Sequence, residues 1–352
     1  TNPNGIYAAK LFVDEQPQVA FVLDSLDYNE TVYLNAHVDY KHKHNGGAWL
    51  QHLSKLPGDA GAAYKKFNGD GVISITDTAI QYIRIEVKDA KGNMSTLNFG
   101  LQYIDSLVKP SINQEGAIYF APNSKTVLAK PDFEIHIPGG SLYDTMKAYY
   151  FRNTAVTKNA ISALHQVNDA SVPVHNNFTV FIKPYKPVPA EWSDKLLIER
   201  TYRNSRTVRK AVLKGEWITT SFDDFGSFQA FVDTIPPRIS DLKNDDTINL
   251  SASSRIVFTP TDNFGVITNF RAELNGQWLR FTNDKTRNWI YKFDERCPYG
   301  VHELKVTAGD LAGNITMKTW WFKRGPYTPP PKKKVMKKKS STKRKTTALK
   351  KK

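Results

Sequence analysis

The sequence predicts a mainly β protein built of tandem β-sandwich domains, and three observations carry that prediction. First, one pattern occurs twice. Ile83, Ile85 and Val87 alternate with Arg84, Glu86 and Lys88 before Asp89-Ala90-Lys91-Gly92-Asn93. Leu304, Val306 and Ala308 alternate with Lys305, Thr307 and Gly309 before Asp310-Leu311-Ala312-Gly313-Asn314. Apolar residues at period two that run into a tight turn mark a strand entering a hairpin. Asp and Asn bond their own backbone and Gly accepts positive φ, so D-x-x-G-N closes that turn. New strands follow at Leu97 and Phe99, and at Met317, Trp320 and Phe322. Second, no window shows a long amphipathic helix with caps, while Pro and Gly recur as turn punctuation. Third, Asp233-Thr234-Ile235-Pro236-Pro237-Arg238-Ile239 sets two prolines before an alternating strand, a stiff extended junction between domains.

Taken in order, residues 1–104 form the first unit, with strands expected at Gly5 to Val13, Val19 to Leu23, Thr31 to Tyr40, Val72 to Ile75 and Tyr82 to Lys88. The acidic loop Asp24 to Glu30 joins two of them. The Gly-rich stretch 41–71, with Leu56-Pro57-Gly58-Asp59 and Asn68-Gly69-Asp70-Gly71, reads as an inserted loop carrying a short helix near Ala62 to Lys66. Residues 105–232 lack the D-x-x-G-N ending and are expected to form a β-sandwich of another kind. Its strands are Phe133 to Ile137, Phe178 to Ile182, a hairpin of Leu196 to Tyr202 with Thr207 to Leu213, and two short strands from Trp217 to Phe231 around Asp223-Asp224-Phe225-Gly226. Pro184 to Pro189 is an edge or loop. The third unit, 233–325, opens on the double proline and places strands at Arg255 to Thr259, Asn269 to Leu274, Gln277 to Phe281, Trp289 to Phe293 and Val301 to Ala308. Asn275-Gly276 signals a type I′ hairpin. Its D-T-x-P-P-x-I opening resembles bacterial immunoglobulin-like domains, so the first and third units are expected to be immunoglobulin-like.

The net charge of +15 is concentrated at one end: Lys332 to Lys352 holds eleven Lys, one Arg and no acid, which leaves about +3 for the rest. The Pro/Lys-rich segment 326–352 has little apolar surface to bury and is expected to be disordered. The folded part therefore carries no strong basic bias, and nucleic acid is disfavoured as a partner. No apolar run has transmembrane length. No secretory leader is visible, the chain lacks an initiator Met, and it starts almost on a strand, which suggests a mature or truncated C-terminal piece of a longer protein. Cys297 is the lone cysteine, so no intrachain disulfide can form, and its Pro-Tyr-Gly context reads as packing.

Candidate sites are few. His42-Lys43-His44 is an H-x-H that on a strand would put both imidazoles on one face. The flanking lysines repel a dication, and a solvated loop is the better reading, with His37 and Asp39 nearby in sequence. His165 and Asp169 form a lone H-x-x-x-D in a polar stretch and read as surface. Trp192, Trp217, Trp278, Trp289, Trp320 and Trp321 could stack on sugars or fill cores. The pair Trp320-Trp321 must place one ring on each face of its strand, which makes these two the candidates for glycan or interdomain contact. The acidic loop at Asp24 to Glu30 and the turns at Asp70, Asp89, Asp262 and Asp310 lack the spacing and closing Glu of a dedicated calcium loop, so turn chemistry is the expectation. In the tail, Lys332, Lys333, Lys334, Lys337, Lys338, Lys339, Lys343, Arg344 and Lys345 could hold an anionic surface, at roughly 1 kcal/mol per residue near a membrane.

Several stretches together resemble a known family. They are Asn4-Gly5-Ile6-Tyr7, the run Tyr28-Asn29-Glu30-Thr31-Val32-Tyr33-Leu34-Asn35-Ala36-His37-Val38-Asp39-Tyr40, Leu56-Pro57-Gly58-Asp59 and Asp89 to Asn93. Phe225-Gly226-Ser227-Phe228, Asp233 to Ile239 and Asp310 to Asn314 follow in the same order. Over residues 1–323 the chain resembles the C-terminal, non-catalytic region of Bacteroidetes lysostaphin/LytM-type zinc metallopeptidases. The resemblance implies zinc-dependent cleavage of peptidoglycan peptide cross-links by a preceding catalytic domain, whose ligands are an H-x-x-x-D followed by an H-x-H. Here the H-x-H at His42 precedes the H-x-x-x-D at His165, the reverse order, so no catalytic or metal residue and no cofactor is assigned to this chain. Zinc is expected in the catalytic domain it lacks.

The leading expectation is thus an accessory region whose partners are a catalytic domain of the same polypeptide and peptidoglycan or another anionic envelope surface. Its location would be periplasmic, outer-membrane-associated or extracellular. The alternative is a stand-alone envelope or glycan-binding β-sandwich protein with an electrostatic anchoring tail.

Overall fold

The computed structural model describes residues 6–104, 118–154, 157–242, 245–283 and 287–326, and these are mainly β, in sheets that are antiparallel but for the pairing of Ile248 and Asn249 with Phe322 and Lys323, which is parallel. The chain divides into two compact units. Unit 1 comprises residues 1–236 with 262–266 and 310–314; unit 2 comprises 237–261, 267–309 and the chain from 315. The basic tail expected to be disordered lies outside the described residues.

Unit 1 begins with a five-stranded sheet, in the order β3-β2-β1-β4-β5. Its strands are β1 (Ala8–Val13), β2 (Gln16–Val22), β3 (Tyr64–Lys66), β4 (Gln81–Lys88) and β5 (Met94–Leu101). Period-two alternation puts Leu11, Val19, Phe21 and Ile83 on one face, where they pack with Ala63 and Tyr64. The opposite face is covered in part by long cations: the Arg84 guanidinium lies 3.9 Å from the Phe12 ring centre. Asp89 closes the β4-β5 hairpin by accepting from the amides of Lys91 and Asn93, with Gly92 at φ 86°.

Three expectations fail in this region. The alternation at Thr31 to Tyr40 is no strand. Tyr28–Asn35 is a 3-10 helix, started by Asp27, whose carboxylate accepts from the Asn29 amide, and Tyr40–His44 is a short helix (α1) capped by Asp39. Local Asp caps outcompete an apolar pattern that has no neighbouring strand to pair with. Residues near Ala62 to Lys66 extend the sheet as β3 rather than forming a helix, and Val72 to Ile75 is irregular.

The rest of unit 1 is a sandwich of two five-stranded sheets, β10-β11-β17-β13-β14 and β15-β16-β12-β8-β7. The short pair β6 (Tyr119–Phe120) and β9 (Met146–Lys147) adds a ribbon. The first sheet contains β10 (Tyr150–Asn153), β11 (Leu164–Val167), β13 (Leu196–Tyr202), β14 (Ser205–Lys210) and β17 (Gly226–Val232). The second contains β7 (Thr126–Lys130), β8 (Phe133–Ile137), β12 (Phe178–Ile182), β15 (Val212–Lys214) and β16 (Trp217–Phe222). Between them lies a core that includes Phe133, Ile135, Phe178, Val180, Ile198, Phe222, Phe225 and Phe228, all but closed to solvent. Arg200 is buried with them and donates through Nε to the Phe225 carbonyl at 2.9 Å, which gives that carbonyl a charge-assisted partner.

Unit 2 pairs a five-stranded sheet, β18-β25-β24-β20-β21, with a three-stranded one, β19-β23-β22. The strands are β18 (Ile248–Asn249), β19 (Arg255–Phe258), β20 (Ile267–Leu274), β21 (Gln277–Leu279), β22 (Thr282–Asn283), β23 (Trp289–Lys292), β24 (Gly300–Asp310) and β25 (Ile315–Arg324). Asn275 and Gly276 both take positive φ, 50° and 80°, as a type I′ turn between β20 and β21 requires. Cys297 is fully buried in the apolar core, and burial pushes its thiol pKa up, in keeping with a packing role.

Candidate functional site

The sandwich of unit 1 carries a groove of about 600 Å³ alongside its edge strand β10. Three consecutive aromatics build it. Tyr150 turns inward: its hydroxyl lies 3.0 Å from Nδ1 of His165, its ring stacks on Phe133, and burial raises its pKa to about 12. Strand alternation then sends its neighbours the other way, and Tyr149 and Phe151 stand 64% and 58% exposed. Phe151 faces Gln166 directly across the β10-β11 ladder.

Asn168 fixes this rim. It adopts φ 45°, a conformation Asn tolerates better than most residues, and exchanges bonds with both neighbours of Ala148. Its Oδ1 accepts from the Tyr149 amide, its Nδ2 donates to the Lys147 carbonyl, and its own amide donates to the Tyr149 carbonyl, each at 3.0 Å. The Lys147 ammonium in turn lies 5.6 Å from the Tyr149 ring centre. Asp169 supplies a carboxylate to the groove wall and accepts from the Ser171 amide at 2.8 Å. Burial pushes its pKa up, but the Ser171 bonds and the charges of Lys41 and His44 more than offset this and hold it below the usual carboxylate range. The groove therefore offers two exposed ring faces, a fixed carboxylate, ammonium groups from Lys41 and Lys147, and the Gln166 amide. Ring faces suit the C–H faces of sugars and the polar groups suit hydroxyls, the division of labour expected of a small-molecule or glycan groove.

The histidines resolve differently from their sequence reading. His165 is not at the surface: it is wholly buried in β11, stacked 4.8 Å from Phe133. Burial drives its pKa down to about 4, so it is neutral at physiological pH. A lone His in a polar stretch gave no sign that its strand faced a core. His42 and His44 sit on α1 two residues apart, a spacing that does not bring side chains together on a helix, and His42 is exposed, as expected of a solvated segment. His37 does not meet Asp39, which caps α1. Its Nε2 lies 3.4 Å from the carboxylate of Asp59, both side chains buried, with the imidazole edge-on to Phe21 and Tyr64. That pair is closed to substrate and joins distant segments of unit 1.

In unit 2, Trp320 is a core side chain, 5.2 Å from the Phe258 ring, and Trp321 points to the outer face of the sheet, 49% exposed and opposite Glu303. Trp278 shares that face, 61% exposed and opposite Glu273. Trp289 is spent on a 4.6 Å stack with Phe270. The groove residues Tyr149 and Phe151 escaped the sequence reading, which weighed tryptophans. The signal available was the Tyr149-Tyr150-Phe151 triplet, whose alternation must expose two rings if it buries the middle one.

Comparison with known proteins finds a match to the Zu5-like domain family over residues 117–233, which span the sandwich and every groove residue named above except Lys41. No curated protein matches the chain. Among solved structures, the chain is similar to a Bacteroides ovatus mixed-linkage glucan utilization locus protein, SGBP-B, solved in complex with a mixed-linkage heptasaccharide. The identity is 8% over 91% of this chain and 60% of that one, with a TM-score of 0.15. It is also similar to the extracellular domain of a hybrid two-component system of B. thetaiotaomicron, at 9% identity over 73% of this chain and 38% of that one, TM-score 0.20. A third is a bacterial ice-binding adhesin, at 11% identity over 91% and 87%, TM-score 0.15. The chain thus spans 60% and 38% of the first two, less than two thirds of each, and at these TM-scores no residue or role transfers from any of the three. No helix among the described residues is long and apolar enough to cross a membrane.

Proposed function

We propose that this chain is a non-catalytic, carbohydrate-binding β-domain region of a cell-envelope or extracellular protein, and that the groove beside β10 holds the glycan. One observation carries the proposal: Tyr149 and Phe151 are held exposed on a bonded rim above a cavity that also presents Asp169, Gln166 and two lysines. Rings of this size left in water cost free energy, and a concave site where rings and polar groups converge is the usual setting for a bound ligand. The sequence resemblance narrows the same proposal. Peptidoglycan would be the polymer, and a zinc peptidase domain of the same polypeptide the working partner.

The test is a pull-down of the full chain on purified peptidoglycan and on insoluble glucans, beside a chain ending at residue 328. Retention of both forms supports a binding site in the body of the protein. Retention of the full chain alone assigns binding to the basic tail, and retention of neither removes the proposal. Muropeptide cleavage by the chain itself would contradict its non-catalytic assignment.

A further inference from the structure

Three carboxylates far apart in sequence converge in unit 1. Asp233, Asp262 and Asp310 each contribute an oxygen to a group in which all three lie within 4.8 Å of one another. Asp233 follows β17, Asp262 opens the 262–266 segment, and Asp310 begins the second D-x-x-G-N turn. An apolar cluster of Leu197, Phe231, Phe264 and Ala312 seats these segments, with the Phe231 and Phe264 rings edge to face at 5.4 Å.

Turn chemistry accounts for part of their bonding and leaves a remainder. Asp262 accepts from the Phe264 amide at 2.7 Å, and Asp310 accepts from the Asn314 amide and side chain, both at 2.8 Å. The first copy of the turn makes the same bonds, Asp89 with Asn93, yet Asp89 is exposed. The D-x-x-G-N turn therefore does not itself require a buried acid. Asp233 is only 1% exposed, and its Oδ1 accepts from Ile235 and Asn263 while its Oδ2, closed to solvent, has no hydrogen-bond partner among the described residues. Asp262 Oδ1 is in the same position. Among the described residues no cationic side chain pairs with Asp233 or Asp262. Buried carboxylates without counter-charge are costly, and a bound dication removes that cost.

We infer that Asp233, Asp262 and Asp310 form a calcium site. The donors are all oxygen, which suits a hard cation and not zinc. Oxygens sharing one Ca²⁺ at roughly 2.4 Å can stand no more than about 4.8 Å apart, the span these three occupy. Asn314 supports the arrangement by donating from one amide group to both the Asp233 carbonyl, at 2.9 Å, and the Asp310 carboxylate.

The experiment is calorimetric titration of the EDTA-treated full chain with CaCl₂ and, separately, MgCl₂, with thermal melts in the same buffers. The expected result is one Ca²⁺ per chain and a Tm that climbs with Ca²⁺ concentration. Asp262→Asn keeps an acceptor for the Phe264 amide and should bind at least tenfold more weakly, while Asp89→Asn, in the exposed copy of the turn, should bind like wild type. Circular dichroism checks that each variant folds; if Asp262→Asn does not, wild-type stoichiometry and Asp89→Asn decide. Absence of Ca²⁺ binding by folded wild type, or undiminished binding by folded Asp262→Asn, overturns the assignment. Equal or tighter binding of Mg²⁺ overturns the choice of calcium.

Discussion

His165 offers a prediction whose size follows from its surroundings. The imidazole is buried between Phe133 and Tyr150, and burial holds its pKa at about 4 against an ordinary 6.5. A depressed pKa means the folded state resists the proton that the unfolded chain accepts. The stabilisation is therefore complete above pH 6.5 and is lost as pH falls from there to about 4. At 1.36 kcal/mol per pH unit the interval amounts to roughly 3.4 kcal/mol, of which about 3 is lost by pH 4, a large share of a typical folding free energy. His165→Phe keeps a flat ring on Phe133 and removes the titration, at the cost of a partner for the Tyr150 hydroxyl, about 1 kcal/mol at every pH. Hydrogen exchange of β11 peptides under urea, across pH 7.5 to 4, should show wild type the more stable at neutrality. The difference should shrink or reverse by about 3 kcal/mol towards pH 4. Parallel stability curves for the two proteins would refute the argument that burial keeps His165 neutral.

Two further outcomes follow from packing. Gly58 approaches the 142–143 backbone so closely that an added Cβ would lie 2.0 Å from the Leu142 carbonyl oxygen, so Gly58→Ala should displace backbone and lower stability by about 2 kcal/mol or more in denaturant melts. Cys297 is fully buried with its thiol pKa raised, so folded protein should resist a thiol reagent at pH 8 and react fully once unfolded; rapid labelling of the native chain would contradict the core placement.

Much of the fold was legible because strand pairing in a sandwich writes a local pattern. Phe178–Ile182 and Leu196–Tyr202 were readable to the residue from alternation, and Asn275-Gly276 and Asp310 to Asn314 from turn chemistry. The pattern misled where an Asp cap could win locally, as at Asp27 and Asp39, since period two is only a strand if a partner strand exists. What positions the candidate sites was not legible. The burial of His165 depends on which sheet face meets Phe133, the exposure of Tyr149 and Phe151 on β10 being an edge, and the meeting of Asp233, Asp262 and Asp310 on loops from three separate stretches. A search for calcium ligands in linear spacing cannot find the last of these. The doubled D-x-x-G-N turn shows the limit plainly: two copies with the same hydrogen bonds, one in water and one buried beside two further acids.

The most direct test of the central claim is affinity electrophoresis of the full chain through gels containing soluble glucans or solubilised peptidoglycan strands. Wild type, Tyr149→Ala and Phe151→Ala should be compared side by side. Both positions are exposed, so the variants should fold with unchanged melts. Loss of one stacking ring should weaken retention about tenfold, the equivalent of ~1.4 kcal/mol. Retardation of wild type in at least one gel, diminished in both variants, is the predicted result; identical mobility of all three proteins in every gel would contradict the groove as a glycan site.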